Sequence, residues 1–274
     1  MRGAGGGMEV NHPCTSSVAP ISKARVSAHR NARSRQPTMQ PLLRPPATTR
    51  THVRNRVAHR RAVDGVHTGE QYHEFMLASQ QDRAVRDAFQ SMALGLLPAG
   101  ADILDFGAGT GIDAKVYAAK GHPTFVYEPS PAMHDCLMQH CHDEIACNAI
   151  VPVTRPCARK VQAITANFAV LNHVLDHRSL FEEFSRAIDR GGFVLASMLS
   201  PYHLGDARHR WWWANLPNLV RKGCYPSPGE SRIHRFAPHA VARAAAPYFR
   251  LERLVPRGFG LASRLYMFLL FRRV

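Results

Sequence analysis

Ile103-Leu104-Asp105-Phe106-Gly107-Ala108-Gly109-Thr110-Gly111-Ile112-Asp113 is the stretch on which the fold turns. Its apolar opening reads as a buried strand. Three glycines at alternate positions follow, and the pattern then becomes helical. Glycine in a strand or helix costs stability, so three of them at one junction imply that something must approach the backbone closely, or that positive φ is required. A strand that passes through such a turn into a helix aims free N–H groups at a ligand. That is the front edge of a nucleotide-type pocket in an α/β sheet.

The pattern on either side agrees. Downstream, strands are expected at residues 101–106, 123–127, 150–153, 161–168 and 193–199. Helices are expected at 111–120, 131–141 and 178–188, the second with Pro131 in its first turn. A helix at 238–246 and strands at 249–255 and 265–271 close the chain. Upstream, residues 70–78 and 82–97 read as helices, the second presenting Val85, Phe89, Met92 and Leu96 on one face before Pro98-Ala99-Gly100 stops it. Five strands interleaved with helices, then two late strands, imply a mostly parallel seven-stranded α/β sheet with an antiparallel edge and helices on both faces. Residues 201–235 show no clean period and contain Trp211-Trp212-Trp213.

The formal charge of +15 would by itself suggest nucleic acid or a membrane surface. Residues 1–63, however, hold twelve of the thirty-five Arg and Lys residues and one of the twenty acids. The body, residues 64–274, is therefore close to neutral, as an ordinary globular domain is. The tail is rich in Arg, Pro, Gly, Ser and Thr and reads as disordered. It is explained as an over-long start with the true start at Met39, as a transit segment, or as a nucleic-acid arm. The first reading is favoured, because the tail has no aromatic residue to stack on bases. Six cysteines without disulfide-scaffold density point to a reducing, cytoplasmic setting. No apolar run approaches the roughly 18 residues that a membrane span needs.

The ligand can be narrowed by spacing. A nicotinamide fingerprint places a third glycine at residue 112, and that residue is Ile112. Asp105 would face pyrophosphate in a dinucleotide site, whereas a ligand bearing an ammonium and a sulfonium would welcome its carboxylate. Glu128 ends the second strand, twenty-one residues after Gly107, where a carboxylate accepts two hydrogen bonds from a ribose diol. His134, Cys136, His140, Cys141, His142 and Cys147 invite a metal reading. Their spacing is irregular around one helix, so no metal site is expected.

Asp105 to Gly111, the acid at Glu128 and the segment Ala166-Asn167-Phe168-Ala169-Val170-Leu171-Asn172-His173 together resemble the class I S-adenosylmethionine-dependent methyltransferases, in their small-molecule branch. The resemblance covers residues 80–200. It implies that Asp105 and the backbone of Gly107, Ala108, Gly109 and Gly111 hold the methionine part of S-adenosylmethionine. It further implies that Glu128 holds the ribose, that Pro129 and Met133 lie against the adenine, and that Asn167 and Phe168 lie beside the sulfonium. The stretch Pro156-Cys157-Ala158-Arg159-Lys160-Val161-Gln162 departs from the family pattern, so the adenine amino contact is left unassigned.

On the acceptor side, His173 is the candidate general base, with Asp176, His177, Tyr202 and His203 weaker candidates of the same kind. Asn172, Tyr202, Trp211, Trp212 and Trp213 are the candidate substrate contacts. The tryptophan-rich segment is read as a lid over a small apolar acceptor, free or held on a carrier through an anionic handle. The resulting expectation is methyl transfer to a small molecule, with oxygen favoured and no nucleic-acid partner. The alternatives are a nucleotide-binding module, a methyltransferase-like protein without activity, and a nucleic-acid methyltransferase. The basic tail favours the last of these. The near-neutral body and the lack of an Asn-Pro-Pro-Tyr signature oppose it.

Overall fold

Two helices, α1 (Gly69–Ala78) and α2 (Gln80–Leu94), precede the glycine-bearing strand in the computed structural model, which describes residues 69–227 and 233–274. The basic tail expected at residues 1–63 lies outside the described residues. Ser79 starts α2 as its N-cap, its hydroxyl accepting from the Asp82 N–H at 3.2 Å. The chain then alternates through β1 (Ile103–Phe106), α3 (Ile112–Ala119), β2 (Thr124–Tyr127), α4 (Pro131–His140), α5 (His142–Ala146), β3 (Ile150–Pro152) and β4 (Val161–Ala166). A 3-10 turn (Val170–His173), α6 (His177–Ala187) and β5 (Ile188–Leu199) follow. After the segment that gave no clear period come α8 (Pro238–Ala245), β8 (Phe249–Val255), α9 (Gly260–Ser263) and β9 (Tyr266–Arg273).

The strands form one seven-stranded sheet in the order β3-β2-β1-β4-β5-β9-β8. The first five are parallel; β9 runs antiparallel to both neighbours, so antiparallel pairing is confined to that edge. This is a Rossmann-like α/β sheet, and each face is buried, which is why its central strands read as continuous apolar runs. Period-two alternation sorts the residues. Ile103, Ala163, Phe193 and Leu195 face α2 and α3, meeting Phe89 and Tyr117. Leu104, Ile164, Val194 and Ala196 face α6, meeting Phe181 and Phe184. Asp105 pairs in register with Val126 and Thr165, on the α2–α3 face.

Several boundaries shift from those expected, and two of the shifts have a local cause. β5 begins at Ile188 rather than Phe193: Ile188 pairs with Val161 before residues 189–192 swing out, with Gly191 at φ +85°, and pairing resumes at Phe193. β4 stops at Ala166 because Asn167 turns its side chain back on the next peptide. Residues 201–235 hold a 3-10 turn (Leu204–Asp206), α7 (Arg210–Lys222) and a hairpin of β6 (Cys224–Pro226) and β7 (His234–Phe236). Helix α7 buries only Trp212 and Leu219, two turns apart, and carries Pro217 within it. Such a narrow stripe, broken by proline, leaves little periodic signal. No described helix is long and apolar enough to cross a membrane.

Candidate cofactor and acceptor site

The carboxyl ends of β1, β2 and β4 meet at the glycine turn, where ligands bind in open α/β sheets. Gly107, Gly109 and Gly111 all have positive φ, at 72°, 57° and 82°. The surroundings of the three differ. A Cβ on Gly107 would strike Val170 at 2.5 Å, and one on Gly111 would strike the Cys141 thiol. At Gly109 the nearest atom is in the Tyr72 ring, 3.8 Å away. Gly107 and Gly111 are therefore demanded by packing as well as by φ, whereas Gly109 opens onto the pocket.

Glu128 locks the turn. Its Oε2 accepts from the Gly109 N–H at 2.7 Å and its Oε1 from the Ser130 N–H at 2.8 Å, while the Gly107 N–H donates to the Tyr127 carbonyl at 2.7 Å. Burial raises the Glu128 pKa despite these two bonds. Each carboxylate oxygen keeps a second lone pair, which suits a ribose diol. Beneath the turn Asp105 is 2 % exposed; Oδ1 accepts from the Thr165 hydroxyl at 3.0 Å and Oδ2 has no partner among the described residues. Desolvation, reinforced by Asp113, pushes its pKa up to about 8. A buried carboxylate with an orphaned oxygen fits a cationic ligand group.

Asp113 anchors a polar cluster over the turn. Arg86 pairs with its Oδ2 at 2.9 Å, Asn167 donates to the same oxygen at 3.1 Å, and Gln90 donates to Oδ1 at 2.6 Å. The Arg86 guanidinium also lies over the Phe168 ring at 4.6 Å. The Phe168 N–H donates to Asn167 Oδ1 at 2.9 Å and to Ser197 Oγ at 2.7 Å, holding Phe168 and Ala169 at φ 52° and 63°. Two consecutive non-glycine residues in left-handed backbone are strained, and such strain collects at ligand sites. Tyr72 of α1 closes the top, and His73 Nδ1 lies 2.9 Å from the Thr110 hydroxyl in the turn. The cavity among Tyr72, Arg86, Gly109, Asp113 and Phe168 is about 20 Å³, roughly the room of one water. A nucleoside-sized group does not fit that space as it stands.

The structure thus brings Gly107, Ala108, Gly109, Asn167 and Phe168 together around one cavity, with Asp105 below it and Glu128 at its side. Pro129 is exposed and Met133 half-buried at the start of α4, both outside the closed cavity. Sequence reasoning missed Tyr72, Arg86, Gln90 and Asp113. The available signal was Arg86 and Gln90, four apart and flanking Phe89, a polar pair set into an apolar helix face.

The acceptor-side residues need correction. Asn172 is fully buried, donating to the His234 carbonyl at 2.6 Å and accepting from the Leu199 N–H at 3.0 Å; with both ends engaged it ties the 3-10 turn to the sheet and cannot greet an acceptor. Trp212, 8 % exposed, packs on Leu219, Tyr225 and Ala237 and donates to the Pro201 carbonyl, so it is core. Trp211 and Tyr202 border the same cluster, and Trp213 is 58 % exposed. His173 is exposed at the end of the 3-10 turn and does not line the cavity. Asp176 is the N-cap of α6, and His177 is buried against Phe236 with its Nε2 2.9 Å from the Leu171 carbonyl, its pKa lowered chiefly by desolvation. His203 is half-buried at the N-cap of the 3-10 turn Leu204–Asp206.

Comparison with known proteins agrees with this fold. No curated protein matches the chain by sequence. Among solved structures, the CcbJ methyltransferase from Streptomyces caelestis is similar at 18% identity and TM-score 0.51, over 69% of this chain and 89% of that one. Magnesium protoporphyrin IX methyltransferase from Synechocystis PCC 6803, with S-adenosylhomocysteine bound, is similar at 16% identity and TM-score 0.50, over 70% and 82%. The [4+2]-cyclase SpnF shares the fold at 12% identity and TM-score 0.53, over 72% and 84%. The model of a family described as "Methyltransferase domain" matches residues 77–232, more than half of the chain. The chain belongs to that family, as a class I S-adenosylmethionine-dependent methyltransferase.

Proposed function

We propose that this methyltransferase acts on a small, largely apolar acceptor, with a hydroxyl oxygen the favoured atom. The observation that carries the reading is the left-handed pair Phe168–Ala169, which turns an aromatic face into the pocket at the end of β4. Tyr266 meets Phe168 edge-on at 5.5 Å, and Tyr72 lines the same cavity as Phe168 from α1. The cofactor would be held by the glycine backbone, Asp105 and Glu128, and it supplies an activated methyl group. The chain's part is to align the acceptor and exclude water, which can be worth roughly 7–11 kcal/mol. A hydroxyl acceptor must also lose a proton; His173, exposed at the end of the 3-10 turn and outside the closed cavity, could take it only if the opened pocket reaches that turn. Arg208, Arg210, Arg221 and Lys222, exposed around α7, suit an acceptor carried on an anionic handle.

We place the chain in the cytoplasm, a setting supported by the free thiols of all five described cysteines. Residues 1–63 are dispensable in this reading. The test offers the full chain labelled S-adenosylmethionine with panels of phenols, alcohols, carboxylic acids, amines and nucleic acids. Transfer to hydroxylated small molecules, abolished by Phe168→Gly, supports the proposal. Transfer to nucleic acid alone sinks it. Tight S-adenosylhomocysteine binding without any transfer sinks it too, and would point to the fold serving a reaction other than methylation.

A further inference from the structure

We propose that Glu70, Cys136 and His140 bind a single divalent ion of the zinc class, which clasps α1 to α4 beside the cofactor pocket. Cys136 and His140 are four residues apart and so share a face of α4. Glu70 reaches them from α1. Its Oε2 already meets both, accepting from Cys136 Sγ at 3.6 Å and lying 2.9 Å from His140 Nε2. The three ligand atoms lie within 4.8 Å of one another. Zinc bonds of about 2.0–2.3 Å in tetrahedral geometry set ligand atoms roughly 3.3–3.8 Å apart, so side-chain adjustments of about an ångström complete the site.

The donor set selects the ion. Thiolate and imidazole with one carboxylate suit zinc and its neighbours, whereas magnesium and calcium take oxygen ligands. Binding forms the sulfur–metal bond, and the thiol proton leaves to solvent; His140 coordinates as neutral imidazole through Nε2. The surroundings are built for the geometry. Gly69 packs so tightly on α4 that a Cβ there would meet the Ala132 carbonyl oxygen at 2.5 Å and Cys136 Cβ at 2.7 Å, which fixes Glu70 beside the pair. The His73 ring stacks on His140 at 3.8 Å with 4° between planes, and His73 is itself tethered to Thr110 of the glycine turn. The stack restricts how the His140 ring can turn. Glu70 and His140 reach solvent, which gives an ion its entry path and a place for a completing water.

The histidines and cysteines of residues 134–147 do not converge by themselves; the third ligand comes from a helix more than sixty residues earlier. Because α1 also carries Tyr72 over Gly109, an ion here would hold the pocket's cover in place.

The test titrates the full chain, stripped with chelator, with zinc by calorimetry and with cobalt(II) by absorption. The chain has sixteen histidines and six cysteines, so background is taken from the Cys136→Ser/His140→Gln double variant, whose fold is checked by circular dichroism and S-adenosylhomocysteine binding. We expect one ion beyond that background and a thiolate-to-cobalt charge-transfer band that Cys136→Ser removes. We also expect a loss in affinity for Glu70→Gln at least as large as the roughly 10–100-fold that losing an outer partner costs. Amide exchange in α1 should slow when zinc is added. Equal binding by the double variant, or no cobalt–thiolate band, overturns the site. Unchanged affinity in Glu70→Gln, or unchanged exchange in α1, overturns the clasp.

Discussion

Asp105→Asn should move stability and cofactor affinity in opposite directions. In the folded chain the Asp105 carboxyl is pushed up to about 8, with desolvation the main cause, whereas in the unfolded chain it titrates near 3.9. The folded state therefore holds this proton more tightly than the unfolded state. The sign follows: the group's stabilising share is complete below about pH 4, is lost as pH rises through 8, and is flat above. At about 1.4 kcal/mol per pH unit, the ceiling on that loss is roughly 5 kcal/mol. Asparagine has the same shape, can still accept from the Thr165 hydroxyl, and carries no charge to desolvate. Urea unfolding at pH 5, 7 and 9 should show stability falling with pH in the natural chain, with the fall at least halved in the variant. The variant should equal or exceed the natural chain at pH 9. S-adenosylhomocysteine carries the ammonium that this carboxylate suits, so its affinity should drop by at least tenfold in the variant, by calorimetry at pH 8. Loss of stability at all three pH values with affinity intact would refute the reasoning, because Asp105 would then be a packing residue.

Gly109→Ala should abolish cofactor binding while costing about 1–2 kcal/mol of stability, the penalty of left-handed backbone alone, whereas Gly111→Ala should unfold the chain more severely because its Cβ meets Cys141; equal melting temperatures would contradict this. Glu128→Gln keeps an oxygen for the Gly109 N–H but loses the charge, so S-adenosylhomocysteine binding should weaken by about 1.5–3 kcal/mol, and unchanged calorimetric affinity would place the ribose elsewhere. Trp212→Ala should cost about 3–5 kcal/mol in urea unfolding, against less than ~1 kcal/mol for exposed Trp213→Ala; comparable losses would mean that α7 does not pack through Trp212. Deleting residues 1–63 should leave cofactor affinity unchanged, and its loss would show that the tail contributes to the site.

The part of the site that was legible in sequence is the part made by backbone. Positive φ at Gly107, Gly109 and Gly111 leaves glycine as its mark, and a strand-end carboxylate at the right distance marks Glu128. Strand pattern sufficed for the sheet because both faces of β1, β4 and β5 are buried, so their apolar runs stand out. What stayed hidden depends on tertiary proximity. Asp113 meets Arg86 and Gln90 only because α2 and α3 share one face of the sheet, and Glu70 meets Cys136 only because α1 lies along α4. Asn172 misled for a related reason. A polar residue after the fourth strand is equally consistent with greeting a ligand and with satisfying two buried backbone groups, and the hairpin that requires the second role leaves scant pattern in the sequence.

The charges explain why the pocket is closed as it stands. Asp105 and Glu128 at the strand ends and Asp113 in the first turn of α3 gather where a cation is wanted, and without one the three carboxylates would repel each other in a poorly solvated space. Each is relieved differently: Asp105 by keeping its proton, Glu128 by two backbone N–H groups, Asp113 by Arg86. Arg86 is thus a resident cation at the entrance to a site built for a visiting one, and its position over Phe168 fills the space that the acceptor wall would offer.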